Sequence, residues 1–228
     1  MIEKIISKLK KNKEYSIESK YSTLEWSVIL YERGFQLLRG LIAKFFRVRA
    51  RGFFFKGKNV RIRHRSLFKA GKNLILEDNV HINALSKNGI HFGDNVTISK
   101  NCTLICTGVI AQKGTGISIG NHTGINANCF FGGQGGIQIG NNVIIGPYVK
   151  VFSENHNFGS AERNIKDQGV SRKGVIIEDD CWIGAGVIIL DGVTIKKRTV
   201  IAAGSVVSRS FTGSCILAGV PAKVIKNI

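Results

Sequence analysis

Beyond about residue 58 the chain reads in units of six, each led by an aliphatic or aromatic residue. Leu76 and Ile82 lead early units, and Phe92, Ile98 and Leu104 the next three. Ile119, Ile125 and Phe131 follow, then Ile139, Ile145 and Val151. After a break, Ile177, Ile183, Ile189, Ile195, Ile201 and Val207 run on without interruption. The fifth place of a unit is small or β-branched, as at Val80, Cys102, Thr123, Cys129, Val149, Cys181, Val187 and Ser205. A helix repeats at 3.6 residues and a half-buried strand at 2, so neither accounts for six. Short strands wound into a prism do, with two inward side chains per face, a turn at each corner and three units per coil. Gly93, Gly120, Gly140 and Gly184 sit just after leading residues, followed by pairs such as Asp94-Asn95 and Asn141-Asn142, types that tolerate tight corners. The fold class expected is all-β, a parallel β-helix with one helical segment before it.

The repeat stops between Asn157 and Gly174, where polar sequence without an inward period must leave the coil as a loop. His156 stands at the doorway of that loop. A histidine is suited to taking a proton from an attacking hydroxyl near neutral pH, which makes it a candidate general base. His64, His81, His91 and His122 fall at basic, corner or outward positions and are assigned nothing. The five cysteines form no CxxC pair and are odd in number, so a disulfide framework is not expected, and Cys102, Cys129 and Cys181 read as core residues.

The net charge of +18 is concentrated at the start: residues 1 to 72 hold 19 Lys and Arg against 5 Asp and Glu. Ten of those cations lie between Arg47 and Lys72 with no acidic residue among them. Such a tract suits a polyanion or an anionic membrane surface. Before it, apolar residues at 24, 28, 31, 35, 38, 42 and 45 mark one stripe of an amphipathic helix, widened by Trp26, Leu30, Leu37, Leu41 and Phe46. That is enough apolar surface to pack on the body and also to meet a membrane or a second subunit. Interrupting charges prevent the segment from spanning a bilayer, and the start of the chain lacks a secretory apolar run, so a cytoplasmic location is expected. Basic charge without aromatic stacking or a recognised motif gives no reason to expect nucleic acid.

Three runs carry a resemblance: Cys181-Trp182-Ile183-Gly184-Ala185-Gly186, Ala202-Ala203-Gly204-Ser205-Val206-Val207 and Ala218-Gly219-Val220-Pro221-Ala222-Lys223. With them, residues 74 to 228 resemble the hexapeptide-repeat acyltransferases, in the branch of galactoside and maltose O-acetyltransferases and surface-polysaccharide acetyltransferases. The resemblance implies left-handed coils, a homotrimer and acetyl-CoA held between adjacent β-helices, with no metal. It places the catalytic histidine at His156 and an oxyanion donor at Asn126. It carries coenzyme contacts over to Ala185 and Ala203 by their backbone, to Ser208 and Arg209, and to Lys223 and Lys226 for the nucleotide phosphates, with Trp182 walling the acetyl end. β-Helical carbonic anhydrases hold zinc with three histidines, two of them five residues apart, and no such pair occurs here.

The expected organisation is a basic arm and helix at 1–57, a β-helix at 58–214 with the loop 157–174 inserted, and a cap at 215–228. The expected activity is direct acetyl transfer from acetyl-CoA to a sugar hydroxyl, the acceptor being a saccharide, free or lipid-linked, of a surface polysaccharide. N-acetylation of an amino-sugar nucleotide, inactivation of a hydroxylated antibiotic and a non-enzymatic structural β-helix are the alternatives.

Overall fold

The computed structural model describes residues 21–228; the arm expected at the very start therefore lies outside the described residues. Strands stack into three sheets of seven, nine and seven strands, and successive strands visit the three faces in turn. Every pairing along the prism is parallel, for example Ile117↔Ile137 on the first face, Ile125↔Ile145 on the second and Phe131↔Val151 on the third. The six-residue reading holds residue by residue: all seventeen leading side chains from Leu76 to Val207 are no more than 5% exposed. The fifth-place residues, the three cysteines among them, are buried as well. Burial pushes the Cys106 thiol up to about 12 and the Cys181 thiol up to about 11, so both act as apolar packing groups.

Corners one and two are held by side-chain ladders that climb the prism. At the first corner the amide of Asp94 donates to Asn121 Oδ1 (2.7 Å), that of Asn121 to Asn141 Oδ1 (2.8 Å) and that of Asn141 to Asp179 Oδ1 (2.7 Å). The Asn141 amide also holds the Asp179 carboxyl below its usual value. At the second corner Asn59, Asn79, Asn101 and Asn128 are left-handed, and each of the first three donates its side-chain amide to the next. Asparagine tolerates that conformation while bridging neighbouring corners.

These ladders leave only one place for extra chain. From first face to second to third, the step is six residues, as in Lys69, Ile75 and His81 or His91, Thr97 and Thr103. From one coil to the next the first-face partners are Arg49↔Lys69, Lys69↔His91, His91↔Ser118, Ser118↔Gln138, Gln138↔Ile176 and Ile176↔Thr194. Only the last of these pairs is separated by the strict 18 residues; the others exceed it by 2 to 20. All the excess leaves the prism at the third edge, between the third face and the next coil's first face.

The coil begins earlier than position 58. Arg49–Ala50, Phe54–Lys56 and Arg61–Arg63 already form a complete first coil paired to the second. Its second-face leading position, in register with Leu76, is occupied by Lys56. A cation where the pattern asks for an aliphatic residue hid this coil from the periodicity. At the other end Cys215–Gly219 joins the second face and Ala222–Asn227 pairs back antiparallel to it.

Helix α1 spans Thr23–Phe45. Ser22 and Glu25 form a reciprocal capping box: the Glu25 amide donates to Ser22 Oγ and the Ser22 amide to Glu25 Oε2. The docking face differs from the expected one. Leu24, Val28, Tyr31, Phe35, Leu38, Ile42 and Phe45, the whole stripe, are 44 to 84% exposed. A mixed side faces the prism instead: Ala43 packs against the core, Arg39 Nε donates to the Lys56 carbonyl (2.9 Å) and Arg33 lies 3.9 Å from Glu77. Gly40, the buried residue of the helix, makes this possible, because a Cβ there would sit 1.7 Å from the Phe54 carbonyl oxygen.

Candidate active site

Asn126, Ala185 and Ala203 share the second edge. Their coils are in register through Ile125↔Ile145, Ile145↔Ile183 and Ile183↔Ile201, so Ala185 and Ala203 are adjacent rungs and Asn126 lies two coils below Ala185. At about 4.8 Å per rung that is roughly 10 Å. Asn126 is exposed, its backbone carbonyl accepting from Cys102 Sγ (3.0 Å) and its amide donating to Ile145 (2.9 Å), which leaves the side-chain amide directed away from the core. Gly184 keeps the edge narrow: a Cβ there would meet the Ala203 amide nitrogen at 2.6 Å. Trp182, on the second face beside this edge, is 56% exposed. Lys223 and Lys226 project from the antiparallel strand that closes the same face.

His156 lies on the third edge. The chain leaves the third face at Ser153, whose Oγ donates to the Gly132 carbonyl (2.6 Å) and accepts from the Gly135 amide (2.9 Å). It returns at Lys173 and Gly174, whose amides donate to the buried Asp191 carboxylate at 2.7 to 3.1 Å. Between these anchors the excursion is a hairpin, with Asn155↔Ser171 and His156↔Val170 paired antiparallel. Arg172 clamps its base through Nε and Nη2, both 2.6 Å from Glu154 Oε2. Gln168 organises the tip by donating to the Ser160 and Arg163 carbonyls and accepting from the Ser160 amide. His156 is therefore a stem residue of the hairpin. It is exposed, and its ring bonds to no described residue. Ser208 and Arg209 leave the coil at the same edge, Arg209 resting over the Phe211 ring at 5.3 Å.

Within one chain, then, Asn126 and His156 stand on opposite borders of the third face. A face of one six-residue step is up to about 20 Å across, so a single prism does not bring the two together. The border residues Ser153, Glu154, Arg172 and Asp191 were not singled out in the sequence; two carboxylates and an arginine flanking the break in the repeat were the available signal. Nor was the groove between α1 and the second edge, of about 940 Å³, lined on the helix by Tyr31, Arg33 and Gln36 and on the coils by Lys58, Asp78 and Lys100. Lys100 accepts from the Asn128 amide (3.0 Å) through its carbonyl, one rung below Asn126's own corner. Among the described residues no group of three or more His, Cys, Asp or Glu is placed to hold a metal ion.

Residues 174–209 match the bacterial transferase hexapeptide family, as six repeats. A Schizosaccharomyces pombe protein, named provisionally as an acetyltransferase, is 38% identical over 116 residues, 50% of this chain and 55% of its own. Galactoside O-acetyltransferase of Escherichia coli is 34% identical over 120 residues, 53% of this chain and 58% of its own. Over residues 174–209 the chain is thus similar to the hexapeptide-repeat transferases. A variant of AntD, an N-acyltransferase of Bacillus cereus solved with coenzyme A and dTDP-4-amino-4,6-dideoxyglucose, superposes with a TM-score of 0.55. It covers 82% of this chain and 88% of its own at 24% identity, and shares the fold, the left-handed parallel β-helix. The family match falls on 174–209 because six units run there without an insertion at the third edge, whereas earlier coils of this hexapeptide-repeat chain are interrupted. The chain spans somewhat over half the length of the curated relatives it matches.

Proposed function

We propose that this protein is an acetyl-CoA-dependent O-acetyltransferase acting on a sugar hydroxyl, in the making of a surface polysaccharide. One observation carries the reading: Asn126, Ala185 and Ala203 line one border of the third face, while the other border projects His156 on a clamped hairpin. Three prisms turned about a threefold axis with their third faces inward would set one protomer's second edge against the next protomer's third edge. Such a heterologous interface closes after three copies. The outer surface of the third face supports this packing, being largely apolar in its later coils with Ile105, Phe130, Phe152, Ile188 and Val206 around one cation, Lys150, and the Phe130 and Phe152 rings meet at 5.6 Å. The first face is more polar, with Lys69, His91, Ser118 and Gln138 outward before Ile176.

In that arrangement the pantetheine arm lies along the narrow edge at Ala185 and Ala203, where small side chains leave backbone groups accessible, and Trp182 flanks it. Arg209, Lys223 and Lys226, all exposed, supply charge for the phosphates. The saccharide enters by the groove beside α1, whose mixed charges and Tyr31 suit hydroxyl groups and a sugar face. His156 takes the hydroxyl proton as the sugar oxygen attacks the thioester carbonyl, and the Asn126 side-chain amide donates to the oxygen that gains charge. Collapse breaks the carbon–sulfur bond, and the coenzyme thiolate takes the proton back from His156. His156→Ala should lower kcat by at least about 10²-fold with coenzyme affinity near normal, and Asn126→Ala should lower it less. Steady-state kinetics with calorimetric binding of coenzyme A measure both; undiminished turnover of His156→Ala rules the assignment out.

A further inference from the structure

The least expected residue of the molecule is Lys56. It occupies an inward position of the first coil, at the open mouth of the prism, where the next coil has Leu76. Burial and the neighbouring Arg39 and Arg65 guanidinium groups lower its pKa. Its ammonium group has no hydrogen bond or ion pair with a described residue. The surrounding cavity, about 300 Å³, has an apolar floor of Ala43, Val48, Val60 and Ile62 and a rim of Arg61, Arg63 and Arg65, and among the described residues no carboxylate lines it. Among the described residues Arg39 and Arg65 bond only to backbone carbonyls, of Lys56 and Phe46. Like charges held together against desolvation raise the free energy of the empty site, and an anion relieves it.

Two further observations select the kind of anion. Beside the mouth, α1 exposes Leu38, Leu41, Ile42 and Phe45, 51 to 84% accessible, and Phe46 continues the patch. The start of the coil adds Arg47, Arg49 and Arg51, of which, among the described residues, only Arg51 reaches an acid, Asp94 at 3.6 Å. A phosphate site bordered on one side by exposed hydrocarbon and ringed by cations is complementary to a lipid headgroup with its acyl chains, whereas a soluble phosphate would leave the hydrocarbon in water. Among the described residues no helix is long and apolar enough to cross a membrane, so contact through this end is peripheral.

We propose that the N-terminal end of the prism docks on an anionic bilayer, a lipid phosphate entering the mouth at Lys56, Arg61, Arg63 and Arg65 while the Leu38–Phe45 side of α1 lies among the acyl chains. In a threefold assembly all three mouths share one plane, and their binding multiplies. For the proposed transferase this posture places the catalytic coils, four to six, roughly 15 to 25 Å above the headgroups at about 4.8 Å per rung, which suits a glycan standing on a lipid anchor.

Flotation of the full chain with vesicles of phosphatidylcholine alone and with 30 mol% phosphatidylglycerol, at low and high salt, tests the docking without reference to catalysis. The composition is about that of a moderately anionic leaflet. Binding is expected to the anionic vesicles only and to weaken with salt. Arg61→Gln with Arg63→Gln and Arg65→Gln should weaken it by at least about tenfold, since each cation near such a surface contributes about fivefold before screening. Leu38→Ser with Ile42→Ser and Phe45→Ser should weaken the part that survives salt. These positions are on the surface, and thermal melts check that each variant folds. Equal binding to neutral vesicles, or undiminished binding by the arginine variant, overturns the proposal. So does glycerol phosphate binding through Lys56 without any vesicle binding, which would make the mouth a soluble-anion site. A change in sedimenting mass of the apolar variant with vesicle binding intact would make the stripe a contact between copies, and equally overturns it.

Discussion

Gly40 shows how one side-chain position decides where an element sits. Helix propensity alone favours Gly40→Ala by up to about 1 kcal/mol. The Phe54 carbonyl stands where that methyl would go, 1.7 Å away, and it belongs to a strand bound on its other side to the second coil. Neither partner yields without loss, so Gly40→Ala should destabilise by about 1 to 3 kcal/mol, the usual cost of overpacking. Chemical denaturation reads this directly, and a gain in stability would show that the helix does not rest on the coil at this point.

Among the elements, the hairpin carrying His156 is held more firmly than its exposure suggests. Ser153 and Asp191 fix the two points where it joins the prism, and the Arg172–Glu154 pair fixes its base, with side chains 19% and 23% exposed. A charge pair this far from water, with two bonds converging on one carboxylate oxygen, is worth more than an exposed pair. For the proposed general base His156, Arg172 would act only through the stem, as a positioning residue. Arg172→Ala is therefore expected to lower kcat by about 10-fold or more while KM for acetyl-CoA and the melting temperature change little, as misplacement by about 1 Å can cost up to 10²-fold. Partial recovery in Arg172→Lys would follow from the retained charge. Equal losses in kcat and in melting temperature would show that the pair only supports the fold.

The whole molecule poses a question that one chain cannot answer, because Asn126 and His156 lie on different edges. A site shared between copies predicts complementation. Trimers mixed at equal amounts from His156→Ala and Asn126→Ala chains, after dissociation and reassembly, should regain about a quarter of the wild-type sites, since each interface draws its two edges independently. Sedimentation verifies the trimer, and acetylation assays of the mixture measure the recovery. Activity no greater than the mean of the two parent variants would place both groups in a site within one chain.

The local part of this structure was readable from residue order. A six-residue period needs only neighbouring side chains to alternate between inside and corner, and each of the leading residues from Leu76 to Val207 is buried accordingly. The polar break before Gly174 likewise announced a loop, since backbone without inward aliphatics cannot stay in the coil. The first coil escaped because Lys56 stands at an inward position that tolerates a cation only at the open end of the prism, and the end is defined by what stacks next. The side of α1 that docks was decided by Gly40 meeting a carbonyl fourteen positions later, a contact that apolar spacing does not encode. That every insertion leaves by the third edge, and that Asn126 and His156 therefore border one face from opposite sides, follows from closing the coils in register. Periodicity selects which side chains go inward; only the closed prism assigns each corner to an edge.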